Sequence, residues 1–193
     1  MSTSKTKEVW MRGPIEGVPS LLQPVAHALL QVKEDAFLYT ESLPETSLWE
    51  RPYKLANIAF HLQHISGVID RMFTYADQKS LDEEQFAYLA QEGKTNPDLS
   101  LKKLLAVLEV QIDKAITYLK TIDTNHLTET RYLGRQRIPT TLIGLLFHSA
   151  EHAQRHLGQL LVTARIMSEQ NKHKKGPDTS ADYFIISRIH SSK

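Results

Sequence analysis

The sequence predicts an all-α protein, a four-helix bundle running up-down-down-up with a short extra helix and a small hairpin. Three observations carry the bundle. Four stretches of about twenty residues or more repeat apolar side chains at three- and four-residue spacings, the period of an amphipathic helix. The connections between them are short and marked by proline, glycine and small polar residues. A chain of 193 residues suits one domain with a sizeable core.

Residues 1–18 carry Gly13, Pro14 and Gly17 and read as an irregular N-terminal segment. The bundle is expected over 19–169. Its first helix is predicted over about 20–42 from Leu21, Leu22, Val25, Ala28, Leu29, Val32, Ala36 and Phe37. Pro24 falls in the first turns, where proline is tolerated. Pro44, Trp49 and Pro52 mark a connection. The second helix is predicted from about Lys54 to Ala76, with Leu55, Ile58, Ala59, Leu62, Ile65, Ile69, Met72 and Phe73 inward and His61 and His64 near its middle.

Ser80 and Glu83 match a capping box and predict a short helix over about 81–91, ending near Gly93. The third long helix is predicted over about 100–121, with Leu101, Leu104, Leu105, Leu108, Ile112, Ala115, Ile116 and Leu119 inward. A hairpin fits Thr128–Ile138. The fourth long helix is predicted from Thr140, read as its N-cap, to about Glu169. Residues 170–193 read as a basic linker around Lys172, Lys174 and Lys175, then a tail with an apolar patch at Tyr183–Ile186.

Composition narrows the function. Hydrophobic residues are 41% and charged residues 23%, as in ordinary globular proteins. A net charge of +1 lacks the basic surplus of a nucleic-acid binder, so no nucleic-acid partner is expected. No apolar run reaches the about 20 residues of a membrane span, so no membrane partner is expected either. The first residues lack the apolar segment of a signal peptide, which leaves the cytoplasm as the expected compartment. There is no cysteine, which excludes disulfides and thiolate ligands from the protein. Any metal must be held by nitrogen and oxygen. A homodimer is the expected assembly, from the base rates of oligomers.

The chemistry concentrates in HSAEHAQRHLGQ, residues 148–159, where His148, His152 and His156 recur every fourth residue. On a helix this spacing makes one stripe, with neighbours about 40° apart around the axis. The apolar residues Leu142, Leu145, Leu146, Ala150, Ala153, Leu157, Leu160, Leu161 and Ala164 define the buried arc. His156 falls inside it, His152 at its edge and His148 outside. A buried imidazole needs partners for both nitrogens. Two histidines one turn apart can share an ion. Hydrogen-bonded core histidines are the bland alternative. His148 is expected at the rim.

The zincin motif His-Glu-x-x-His is absent, and so are the paired Glu-x-x-His motifs of di-iron bundles. A third ligand is expected from the second helix. Its helical wheel favours His61, nearer its main apolar face. His64 lies further round, between Phe60 and Val68.

Two runs, NIAFHLQHISGVIDRMFTYA and IPTTLIGLLFHSAEHAQRHLGQLL, resemble the DinB-like (YfiT-like) superfamily of metalloenzymes, over roughly residues 20–168. The resemblance implies a three-histidine metal site. One ligand comes from a run like Leu62-Gln63-His64-Ile65, two from the His-x-x-x-His of the last helix. The implied ligands are therefore His64, His152 and His156, with His61 as the fallback. Many members carry arginine after the last histidine, where this chain has Leu157.

Members include enzymes that use low-molecular-weight thiols and a sulfoxide-forming iron domain. The implied cofactor is a divalent ion, zinc or nickel first and iron next. The implied activity is a hydrolase, or a transferase using a small thiol, acting on a small-molecule substrate. The alternative is a non-catalytic metal-binding or stress-response bundle that dimerises. Glu151, Gln159, Tyr39 and Asp70 are the expected partners of the ligand rings.

Overall fold

The computed structural model describes residues 7–174. The apolar patch expected at 183–186 lies outside those residues. Besides short 3-10 turns, the described residues form five α-helices and one hairpin: α1 Gln23–Thr40, α2 Ile58–Ala76, α3 Glu83–Gln91, α4 Leu101–Leu119, β1 Thr130–Leu133, β2 Ile138–Thr141 and α5 Leu142–Lys174. Helices α1, α2, α4 and α5 form the bundle around a core that includes Leu29, Leu62, Ile65, Ile69, Leu108, Ile112, Leu146 and Leu160. Each of these eight is fully buried. The three- and four-residue spacing of the apolar side chains explains why one face of each helix turns inward.

Cross-helix contacts fix the directions. Ala28 meets Gln154 and Tyr39 lies near Arg165, so α1 runs parallel to α5. His61 meets His156 and His64 meets His152, so α2 runs against α5. Asp70 meets Gln111 and Phe73 packs on Tyr118, so α4 runs with α2. The bundle is up-down-down-up, as expected.

Several boundaries differ from the sequence expectation, each for a local reason. Helix α2 starts at Ile58, four residues late, because Tyr53 and Lys54 take positive φ angles and Leu55 is extended. Asn57 caps it by accepting from the Phe60 amide. Leu55, expected inward, is exposed. The short α3 is capped by Asp82 and Gln85, not by Ser80 and Glu83. The two candidate boxes overlap in sequence, and the aspartate wins. Thr141, not Thr140, caps α5: its hydroxyl accepts from Gly144, while Thr140 is the β2 partner of Arg131.

The hairpin spans 130–141, three residues beyond the expected end, with Gly134 and Arg137 at positive φ in its turn. Helix α5 continues to Lys174, so Lys172 and Lys174 belong to it and not to a linker. The hairpin is fastened to the bundle by buried Arg131, whose Nε donates to the Ala76 carbonyl at the end of α2.

Candidate metal centre

Four histidines meet where α2 faces α5. Donor atoms of His64, His152 and His156 all lie within 4.8 Å of one another. The Nε2 atoms of His64 and His152 are 3.0 Å apart. The rings of His64 and His156 have centroids 4.4 Å apart, and those of His152 and His156 4.7 Å. Phe60 stacks on His64 with its ring centroid 5.1 Å away and the planes 15° apart. His61, the residue favoured by the wheel, is 2% exposed and lies outside this trio. Its Nδ1 sits 3.2 Å from Nδ1 of His156. His61 therefore backs His156 and leaves that ring's Nε2 uncommitted.

His64 is held from behind in the same way. Its Nδ1 lies 2.6 Å from Oε2 of Glu92, whose other oxygen accepts from Arg71 at 2.8 Å. Nδ1–H donates to the carboxylate, so Nε2 is the nitrogen turned toward His152. No spacing rule pointed to Glu92, because it follows α3, 28 positions from His64. His152 lacks such a partner: its Nδ1 is buried without a hydrogen bond.

Burial is the largest influence on these rings. It holds His61 and His156 down to about 4, with the nearby His64 adding to the effect, and it lowers His152 in the same direction. At neutral pH each of these three rings is neutral and keeps one nitrogen lone pair beside its single N–H. That is the chemistry a divalent cation requires of imidazole.

The expected ring partners fall elsewhere. Glu151 pairs with His148 at 2.9 Å and with Arg155, at the rim of the cluster. Asp70 accepts from Gln85 and Gln111, Tyr39 engages Asp35, and Gln159 is exposed. None of those three orients a ring of the trio. His148 is half-buried at the rim, its ring centroid 5.2 Å from that of His152. His148, Glu151 and His152 also have donor atoms within 4.8 Å of one another.

The sequence profile of the DinB superfamily matches residues 5–160. The chain belongs to the DinB superfamily. YfiT from Bacillus subtilis, described as a probable metal-dependent hydrolase with an unusual four-helix bundle topology, is structurally similar. It is 15% identical, with a TM-score of 0.57 over 81% of this chain and 93% of its own. A protein from Streptococcus pneumoniae is 16% identical, with a TM-score of 0.56 over 75% of this chain and 88% of its own. These likenesses show a shared fold. No curated protein matches the sequence. No helix among the described residues is long and apolar enough to cross a membrane.

Proposed function

We propose that this DinB superfamily member is a metal-dependent hydrolase whose divalent ion is held by His64, His152 and His156. The observation that carries this reading is the convergence of three imidazole donors within 4.8 Å on facing helices. The donor set fits such an ion. Glu92 leaves Nε2 of His64 facing the other donors, His61 engages His156 through Nδ1 alone, and burial keeps His152 and His156 neutral. Zinc or nickel suits an all-imidazole set, with ferrous iron next. When bound by three neutral ligands, the ion supplies an open position and full double charge, enough to bring the pKa of a water or thiol toward about 7.

The chain's own residues then hold and shield the reacting groups. Phe60 covers one face of His64 and keeps water from it. His148, Glu151 and Arg155 form a polar rim beside the trio, suited to a small polar substrate. The similarity to YfiT, described as a probable metal-dependent hydrolase, supports water as the acceptor.

The test is turnover of a panel of small esters and amides by protein loaded with zinc, nickel or iron, with and without a low-molecular-weight thiol. Turnover is expected to need the metal, to vanish in His156→Ala, and to proceed without thiol. Turnover that survives chelation and His156→Ala overturns the reading. Turnover only with thiol moves it to a transferase.

A further inference from the structure

Helix α3 is a puzzle of purpose. None of its nine residues is buried, so it adds almost nothing to the core. It is tied to α2 by Gln85, whose amide donates to Asp70 at 2.6 Å and to Thr74 at 2.7 Å. The chain just beyond it is held far more closely. The Gly93 amide donates to Oε1 of buried Gln63 at 2.9 Å, and Gly93 takes a φ of +77°. A Cβ at Gly93 would lie 3.1 Å from Phe60. This turn drives the Glu92 side chain into the bundle, where it is only 4% exposed and meets His64 and Arg71.

The seat for that carboxylate is cut into α2. Phe60, His64, Gly67 and Arg71 lie along one stripe of the helix, at intervals of three and four. A Cβ on Gly67 would stand 2.5 Å from Oε1 of Glu92, 2.6 Å from Nη1 of Arg71 and 3.0 Å from the Tyr88 ring. Glycine weakens a helix interior relative to alanine. Here the missing Cβ leaves room for the Glu92 carboxylate, which bridges His64 and Arg71. Arg71, itself 8% exposed at its side chain, satisfies the second carboxylate oxygen, so neither oxygen is buried unpaired.

We infer that Glu92, seated by Gly67 and braced by Arg71, is the positioning residue of the ion site, fixing the His64 ring so that Nε2 faces His152 and His156, and that the α3 segment and the ion order together. The inference rests on the proposed three-histidine site and adds to it a fourth, non-ligating member. It also gives α3 a purpose: it delivers the carboxylate. A metal-ligating histidine needs such a partner on its far nitrogen to keep the tautomer and ring angle.

The test uses the full chain, with zinc as the probe. Affinity is measured by competition with a chromophoric chelator, and amide hydrogen exchange is followed over 83–93 with and without zinc. Glu92→Gln is expected to weaken zinc about 10- to 100-fold, measured on the folded fraction, and to lower thermal stability in the absence of zinc because buried Arg71 loses its counter-charge. Gly67→Ala, which touches no proposed ligand and favours a helix, is expected to weaken zinc to a similar degree. The double variant should bind no more weakly than Glu92→Gln alone, since both act on one contact. Zinc should slow exchange over 83–93 in the parent and not in Glu92→Gln.

Parent-like affinity in both single variants, with binding lost in His156→Ala, overturns the inference and leaves the ion site standing. The same holds for zinc protection of 83–93 that persists in Glu92→Gln. A parent chain that takes up no zinc, nickel or iron overturns both. Should Glu92→Gln fail to fold, Gly67→Ala alone decides, because it removes no buried hydrogen-bonding group.

Discussion

Nδ1 of His61 lies 3.2 Å from Nδ1 of His156, with His61 almost wholly buried behind it. One of these nitrogens donates and the other accepts, so the two rings share a single proton between them. The pair separates two histidines of α2 that sit only three positions apart. His64 joins the trio of converging donors, whereas His61 supports one of its members from behind.

The first prediction follows from that division. His64→Ala, His152→Ala and His156→Ala should each reduce bound zinc well below one equivalent per chain. His61→Ala should retain it, with an affinity about 10-fold weaker, the usual scale for losing a ligand's outer partner. Metal analysis after gel filtration, followed by chelator competition, distinguishes the two outcomes. Loss of zinc in His61→Ala with retention in His64→Ala would exchange their roles.

Acid should destabilise the metal-free protein. His61 and His156 are held at about 4 in the fold, below the ordinary 6.5, first by burial and then by His64. The unfolded chain therefore takes up these protons at higher pH than the folded one. Their contribution to stability is complete above about 6.5 and is lost as pH falls toward 4. Thermal melts between pH 7 and pH 4.5 should show a falling Tm, and His61→Leu should flatten the slope. A parent Tm that is level across this range counts against the assignment.

Zinc should raise the melting temperature. A ligand at 100 times its Kd stabilises the folded state by about 2.7 kcal/mol. For a domain of this size that corresponds to a rise of about 5–10 °C. Chelator should reverse the rise, and His156→Ala should show none of it. Differential scanning fluorimetry across a zinc titration provides the measurement.

The core sets a separate scale. Leu146 is completely buried on α5, among the side chains that hold that helix in the bundle. Leu146→Ala should cost about 2–5 kcal/mol, by lost burial and the cavity left behind. Urea denaturation of the metal-free protein measures it. Zinc binding by the fraction still folded should be unchanged.

Much of this arrangement was written locally in the chain. The apolar spacing of α1, α2, α4 and α5 follows from elementary helix geometry, and the four-residue recurrence of His148, His152 and His156 is visible as a stripe. The wheel ranks His61 and His64 by depth in an apolar face, and the structure keeps that order, with His61 buried and His64 half-buried. Convergence follows a different rule: the donor atoms that cluster with those of His152 and His156 belong to the shallower His64, and depth alone does not report that. Glu92 was illegible because its partner is reached across a turn and a separate short helix, where no period applies. Gly67 was the one local signal, a glycine in the middle of an apolar helix without a turn to explain it. The start of α2 and the cap of α3 were misjudged where neighbouring residues offered competing local structures, and backbone geometry chose between them.

The antiparallel meeting of α2 and α5 makes the two helices a vernier. His61 stands level with His156 and His64 with His152. Sliding α2 along α5 by one turn, about 5.4 Å, would bring His61 to His152 and His64 to His148, a second set of matching rungs. The histidines alone do not choose between these alignments. Leu62, Ile65 and Ile69 are fully buried on α2, and a slide of one turn would break the packing they make, which favours the observed alignment. Which imidazoles meet then depends on hydrocarbon packing as well as on the histidines, and substitutions along that seam are expected to change the pairing without altering a single histidine.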